Sequence, residues 1–317
     1  MKPLLNTLLI ALLLALTSCS NNQPAAYPHK TVTIVCPWAP GGGTDRVSRY
    51  WADALQKELG QPFVVVNRTG GSGVVGHSAC ADARPDGYTL GMITAELSTM
   101  HHLGICQLTY KDYQCLMQVN ADAAAILVGK DAPWKDLPSF LKHVRQNPGK
   151  IKMSGTAAGG LWDLARLGLQ DAAEIPQQSV VWVPTQGAAP SLQELLGGHI
   201  DAVCCSLPEA AAQIESGQIR ALAVMSEERS TDFPDVPTVK EAGVDWVAMG
   251  WRGLAMPKDT PTEIVDKVHQ ACEAVAASPE YLEFMKKNGF GVKIRPRDEF
   301  AKFLAEQDQT WGKVLAK

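Results

Sequence analysis

Three glycine-rich segments hold the residues best suited to chemistry: Gly41-Gly42-Gly43-Thr44-Asp45, Gly70-Gly71-Ser72-Gly73 and Gly155-Thr156-Ala157-Ala158-Gly159-Gly160. Each follows a short apolar run and precedes an amphipathic one. Glycine lets a ligand come close to the main chain. A helix start behind it offers unpaired N–H groups and a partial positive charge. Together these hold a carboxylate or phosphate without Arg or Lys. Taken singly, each run also reads as a plain turn. Three runs at equivalent positions favour reversible anion binding.

Covalent chemistry finds less support. The first run lacks the Gly-Lys-Ser/Thr ending of a nucleotide-binding P-loop, and it does not continue as a dinucleotide fingerprint. Residue 74 is Val, so Ser72 does not sit in a nucleophile elbow. Ser139 and Lys142 match S-x-x-K without its partner motifs. His77, His101, His102 and Cys106 match no spacing of a known metal site. Asp45 could act as a base, yet a carboxylate at a helix start has a structural reason to be there. No catalytic residue, metal or cofactor is expected, and the chain does not read as an enzyme.

The elements that must position these loops follow from periodicity. Strands are predicted over residues 31–36, 63–66 and 88–93, with helices over 44–59 and 74–83. Val47, Trp51, Leu55 and Leu59 share one helical face, and Gly60 ends that helix. Pro85-Asp86-Gly87 is a turn. The pattern restarts with strands over 124–128, 151–154, 180–183, 202–205 and 219–225. Helices are predicted there over 137–146, 161–170 and a short stretch ending at 196. The tail reads as helical over 263–277, 279–288 and 298–314. Strand–loop–helix repetition argues an α/β protein with a largely parallel sheet.

The N-terminus reads as an export signal. Lys2 precedes an apolar run from Leu4 to Leu16, shorter than the ~20 residues of a membrane-spanning helix. Leu16-Thr17-Ser18-Cys19 resembles a lipobox, with Cys19 as the lipidated residue; an ordinary signal with a chance cysteine is the alternative. Export permits disulfides. Seven of the eight cysteines remain beside Cys19, and Cys106 could pair with Cys115 or stay a free thiol. The net charge of -4 comes without a basic run, which argues against a nucleic-acid partner.

PWAPGGGTDRVSRYWADALQKELGQPFVVVNRTGGSGVVG, RPDGYTLGM, the GTAAGG loop, VPTQGAAPSLQELLGGHIDAV, RALAVMSEERSTDFPDVPTVKEAG and WRGLAMPKDTP follow one another along nearly the whole mature chain. In this order they resemble the substrate-binding proteins of tripartite tricarboxylate transporters, the Bug receptors. The resemblance implies a two-lobed periplasmic-binding-protein fold (type II-like) with the ligand cleft between the lobes. It implies a small di- or tricarboxylate or aromatic acid as ligand, delivered to the membrane subunits of a transporter. An exported sensor or adaptor feeding a signalling protein would use the same pocket.

The expected division is a signal over 1–18, a tether over 19–28, one lobe from 29–123 with 226–317, and a second lobe from 124–225. The protein is expected in the periplasm as a monomer, attached to a membrane only through its lipidated N-terminus. The pocket positions implied are Gly42, Thr44 and Asp45, then Gly71, Ser72 and Gly73, then Thr94. In the second lobe they are Gly155, Thr156, Ala157, Gly160, Thr185, Gly187, Cys205 and Ser206. The family commonly has an aromatic at Thr185 and a polar residue near Cys205, so these departures bear on ligand identity. Trp38 reads either as a cleft residue or as packing at the strand end. Arg252 is a candidate partner for a second ligand carboxylate.

Overall fold

A computed structural model describes residues 26–316. The signal, Cys19 and all but the last three residues of the tether lie outside the described residues. The elements follow the order β1 (Val32–Cys36), α1 (Gly43–Leu59), β2 (Phe63–Asn67), α2 (Val74–Ala81), β3 (Thr89–Thr94) and β4 (Tyr113–Gly129). Next come α3 (Leu137–Gln146), β5 (Ile151–Ser154), α4 (Leu161–Ala172), β6 (Val180–Trp182), α5 (Ala188–Leu196) and β7 (Ala202–Ser206). The chain continues with α6 (Ala211–Glu215), β8 (Ile219–Val224), β9 (Met249–Pro257), α7 (Thr262–Ala277), α8 (Pro279–Lys287), β10 (Val292–Pro296) and α9 (Arg297–Leu315). No helix among the described residues is long and apolar enough to cross a membrane.

The strands run in the order β2-β1-β3-β9-β4-β7-β5-β6, with β8 and β10 also pairing β4. β1, β2 and β3 are parallel, as are β5, β6 and β7. β4, β8, β9 and β10 join antiparallel. The sheet is therefore mixed, and the expectation of a largely parallel sheet holds only for these two sets of three.

β4 is the strand that links them. Tyr113 to Ala123 pair with β9, and Ala124 to Val128 pair with β7. At the change of partner, Ala124 N–H donates to Ala248 O (2.9 Å), Ala248 N–H to Met225 O (2.9 Å) and Met225 N–H to Ala124 O (2.7 Å). Three chain segments thus lock together where the two halves meet. The sequence predicts only the last five residues before Gly129. Gln118, Asn120 and Asp122, all buried, break the apolar pattern upstream because they answer to partners in space. Strands β9 and β10 also go unpredicted, and β10 interrupts a tail expected to be helical. β9 carries Gly250 and Gly253, which read locally as loop residues.

Burial follows the predicted helical stripe. Val47, Trp51 and Leu55 of α1 are fully buried and pack with Val268, Cys272 and Tyr281 over the first half of the sheet. A second core holds Ile126, Phe140, Leu169 and Val203 in the other half. Ser139 completes a capping box with Asp136 at the start of α3, which accounts for it without chemistry. The seven described cysteines are all free. Burial pushes the Cys36 thiol up to about 11 and that of Cys80 up to about 12.

Candidate functional site

Where β1, β3 and the two helix starts meet, the two halves of the sheet border an open cavity of about 30 Å³. That is room for roughly two water-sized groups. The first half contributes Trp38, Gly42, Gly43, Thr44, Thr94 and Glu96. The second contributes Thr156, Leu161, Trp162, Gly187, Ala188 and Glu209, and β9 adds Trp251 and Arg252. Of the residues expected from sequence, Trp38, Gly42, Thr44, Thr94, Thr156 and Gly187 are brought together here.

The first loop runs into the start of α1. Gly42 caps α1 in extended backbone with no side chain to satisfy the helix start, so the N–H groups of the first turn are open to other partners. Asp45 does not line the cavity. It turns back and accepts from Gly41 N–H (2.9 Å), Arg49 Nε and Nη2 (2.9 and 2.8 Å) and Asn67 Nδ2 (2.9 Å). Burial pushes its carboxyl up, but these bonds outweigh burial and hold it below the usual carboxylate range. Asp45 is thus a brace of the loop. The second half repeats the device: Asp163 accepts from Gly159 N–H (2.9 Å) and from Arg166 Nε and Nη2 (2.9 and 2.7 Å). An Asp at the third helical position, with an Arg one turn on, was the signal in sequence that the two loops share a construction.

The second loop misses the cavity. Gly71–Gly73 forms a short turn, and Ser72, held at φ 56°, donates its hydroxyl to Ala158 O (2.7 Å). The loop therefore touches the third loop directly across the two halves. His77 stands behind it. Its Nδ1 lies 2.7 Å from Gly73 O, and its Nε2 is 3.1 Å from Thr94 N. Because a backbone N–H must donate to Nε2, the proton sits on Nδ1 and the ring is neutral. Burial lowers its pKa to about 4. His77 is thus a satisfied core histidine. His101 and His102 point their Nε2 atoms at Asp308 of α9 (2.7 and 3.4 Å), and Cys106 is not part of that group.

Four expected residues of the second half sit behind the wall. A Cβ at Gly155 would lie 2.0 Å from Cys204 O, so this glycine lets β5 approach β7. Gly160 caps α4. Thr185 bonds Ser191 Oγ (2.6 Å) and Gly187 O (3.1 Å). The Cys205 thiol is buried against Ser206 O at 3.6 Å, and burial raises it well above its ordinary value. Ala157 accepts the Thr156 hydroxyl and the Gly160 N–H through its carbonyl (3.2 and 3.0 Å) and does not line the cavity. Ser206 acts through a neighbour: its N–H and hydroxyl hold Glu209 Oε2 at 3.1 and 3.0 Å.

Two polar residues that face the cavity, Glu96 and Glu209, were not anticipated. Glu96 accepts the Thr94 hydroxyl (2.6 Å) and Leu161 N–H (3.0 Å). Burial pushes its carboxyl above the usual range, against those two bonds. Thr94 in turn accepts Trp38 Nε1 (3.3 Å). Glu209 accepts Gly43 N–H (3.2 Å) and faces Arg252 Nη2 (3.4 Å). Arg252 is committed within the protein. Nε donates to Thr44 Oγ1 (3.0 Å) and Nη1 to Asp122 Oδ2 (2.7 Å) and Asn120. The carboxylates Arg252 meets within the protein are Asp122 and Glu209, and it also lines the cavity.

Residues 47–317 match a family described as the tripartite tricarboxylate transporter family receptor. BugT of Bordetella pertussis is 31% identical over 295 residues, covering 91% of this chain and 89% of that protein. The structure of the periplasmic binding protein BugD superposes with a TM-score of 0.86 at 29% identity, covering 92% of this chain and 98% of that one. MatC from Rhodopseudomonas palustris, solved with bound malate, gives 0.83 at 28% identity, covering 91% of this chain and 100% of that one.

Proposed function

We propose, from the premise that this chain belongs to the tripartite tricarboxylate transporter receptor family, that it captures a small carboxylate outside the cytoplasm and hands it to the membrane subunits of such a transporter. The mixed α/β fold is that of periplasmic binding proteins such as BugD, and the family is one of receptors, not enzymes. Residues 29–123 with 226–317 form one lobe and 124–225 the other, hinged at the Ala124–Met225–Ala248 crossing. The solute sits between them as a guest of both lobes. Because it contacts both only when they close, binding shifts the population toward the closed form. Closure then presents the surface the transporter reads. The receptor works as a monomer, held to the membrane through lipidated Cys19.

One observation carries this reading: the starts of α1 and α4, from opposite halves, border a single cavity. Helix starts favour an anion on both sides of the gap. Calorimetric titration with mono-, di- and tricarboxylates and aromatic acids tests it, with at least one acid expected to bind. A folded protein that binds none of them sinks the proposal.

A further inference from the structure

His101 and His102 follow β3 in a segment wound by tight turns. Met100 N–H donates to Glu96 O (2.9 Å), Leu103 N–H to Thr99 O (3.0 Å) and Ile105 N–H to Met100 O (2.9 Å). That winding lets the rings of two successive residues face one neighbour, with their centroids 3.9 Å apart. The neighbour is Asp308 on α9. Its Oδ1 lies 2.7 Å from His101 Nε2 and 3.4 Å from His102 Nε2. Gly312, one turn further along α9, makes room for the second ring: a Cβ there would stand 2.8 Å from His102 Cε1 and 3.1 Å from its Nε2. Glycine is costly inside a helix, and the close ring accounts for its place here.

Two imidazole nitrogens and a carboxylate oxygen are a donor set that zinc and its neighbours take. These atoms all lie within 4.8 Å of one another. On a tetrahedral zinc, ligands about 2.0–2.1 Å from the metal stand roughly 3.3 Å apart. The His102–Asp308 distance of 3.4 Å already matches, and His101, at 2.7 Å, has to draw back by about 0.6 Å. Asp308 Oδ1 is shielded from solvent and takes no hydrogen bond, a condition that a bound ion relieves. His102 Nε2 also stands 3.0 Å from Asp308 O. A carbonyl inside a helix has the N–H four residues on as its partner, so this contact is readily given up. The third donor lies 206 residues from His102, which is why no spacing in the sequence announces the group.

We propose that His101, His102 and Asp308 form a site for one divalent transition cation of the zinc type, bound by His101 Nε2, His102 Nε2 and Asp308 Oδ1 with water in the fourth position. The His102 side chain is partly exposed, which leaves solvent that position. The ion fastens to α9 a segment whose tip reaches the other half: Leu103 and Ile105 each come within 3.3 Å of where a Cβ on Gly159 would lie. None of the three ligands lines the solute cavity, so the site stands apart from the carboxylate reading.

Isothermal titration of the chelator-stripped, tag-free protein with zinc chloride tests the inference, and one zinc per chain is expected. His102→Gln and Asp308→Asn, with folding checked by circular dichroism, should each weaken binding more than about tenfold, at least the loss seen when a residue that merely orients a metal ligand is removed. Cys106 is the one thiol among the described residues that is not buried, and Cys106→Ser should leave the affinity unchanged. Calcium and magnesium in about hundredfold excess should not compete, because hard cations take oxygen ligands. If neither ligand variant folds, zinc-dependent protection of His102 from diethyl pyrocarbonate in the unaltered chain decides alone. No binding by about 0.1 mM zinc, full affinity in a folded ligand variant, loss of affinity in Cys106→Ser, displacement by calcium, or an unprotected His102 each overturns the site.

Discussion

Replacing Arg252 by Met should cost the protein about 3–5 kcal/mol, the usual penalty for removing one partner of a buried ion pair. The setting is dry: the Arg252 side chain is 5% exposed and that of Asp122 2%. Methionine keeps most of the stem volume, so little of the loss comes from an empty space. What goes is the 2.7 Å contact to Asp122, the 3.4 Å contact to Glu209, the 3.0 Å bond to Thr44 and the donor to Asn120. Asp122 retains Gly291 N–H (2.8 Å), one bond for a buried charge. The chief penalty is that uncompensated carboxylate. Adding Asp122→Asn removes the charge and should return about 1–2 kcal/mol, a coupling that a double-mutant cycle isolates. Urea unfolding followed by far-ultraviolet circular dichroism measures all four proteins. A loss below about 1 kcal/mol, or a double variant no more stable than the single one, would refute the claim that Arg252 is an internal brace.

Three further outcomes follow from the same geometry. His77 titrates at about 4 in the folded protein, against an ordinary value of 6.5; the unfolded chain takes the proton first, so stability is complete above about pH 6.5 and falls toward pH 4, by up to about 3 kcal/mol. His77→Gln should show a shallower fall between about pH 7 and pH 4.5 in urea titrations, and equal slopes would remove this cause. Gly43→Ala sets a Cβ 2.6 Å from Arg252 Nη2 and 2.9 Å from Glu209, wedging the halves apart. Small-angle scattering should report a larger radius of gyration and calorimetry about tenfold weaker carboxylate binding, while no change in either contradicts the placement. Gly155→Ala drives a Cβ to 2.0 Å from Cys204 O and should cost about 1–3 kcal/mol; a loss under about 0.5 kcal/mol means the strands yield freely.

Much of this protein is legible locally. The α1 stripe of Val47, Trp51 and Leu55, the strands flanking the glycine loops and the helix over Leu137–Gln146 depend on neighbours within one or two turns, so periodicity and turn residues suffice. The first-loop cavity positions Gly42 and Thr44 were legible for the same reason, a glycine run directly before a helix start, although Gly73 before α2 shows that the same pattern also occurs away from the cavity. Other positions could not be read this way. Asp45 and Ser72 look like ligand contacts in sequence, and only the distances to Arg49, Asn67 and Ala158 turn one into a brace and the other into a bridge between halves. Glu96, Glu209 and Arg252 give no local sign of their internal partners, because Leu161, Gly43 and Asp122 lie 65, 166 and 130 residues away in sequence. Local residue types were enough to single out glycine runs at helix starts. That carboxylates from the opposite half meet those helix starts was left to the folded chain, since a buried charge is settled by what folding brings within hydrogen-bond reach.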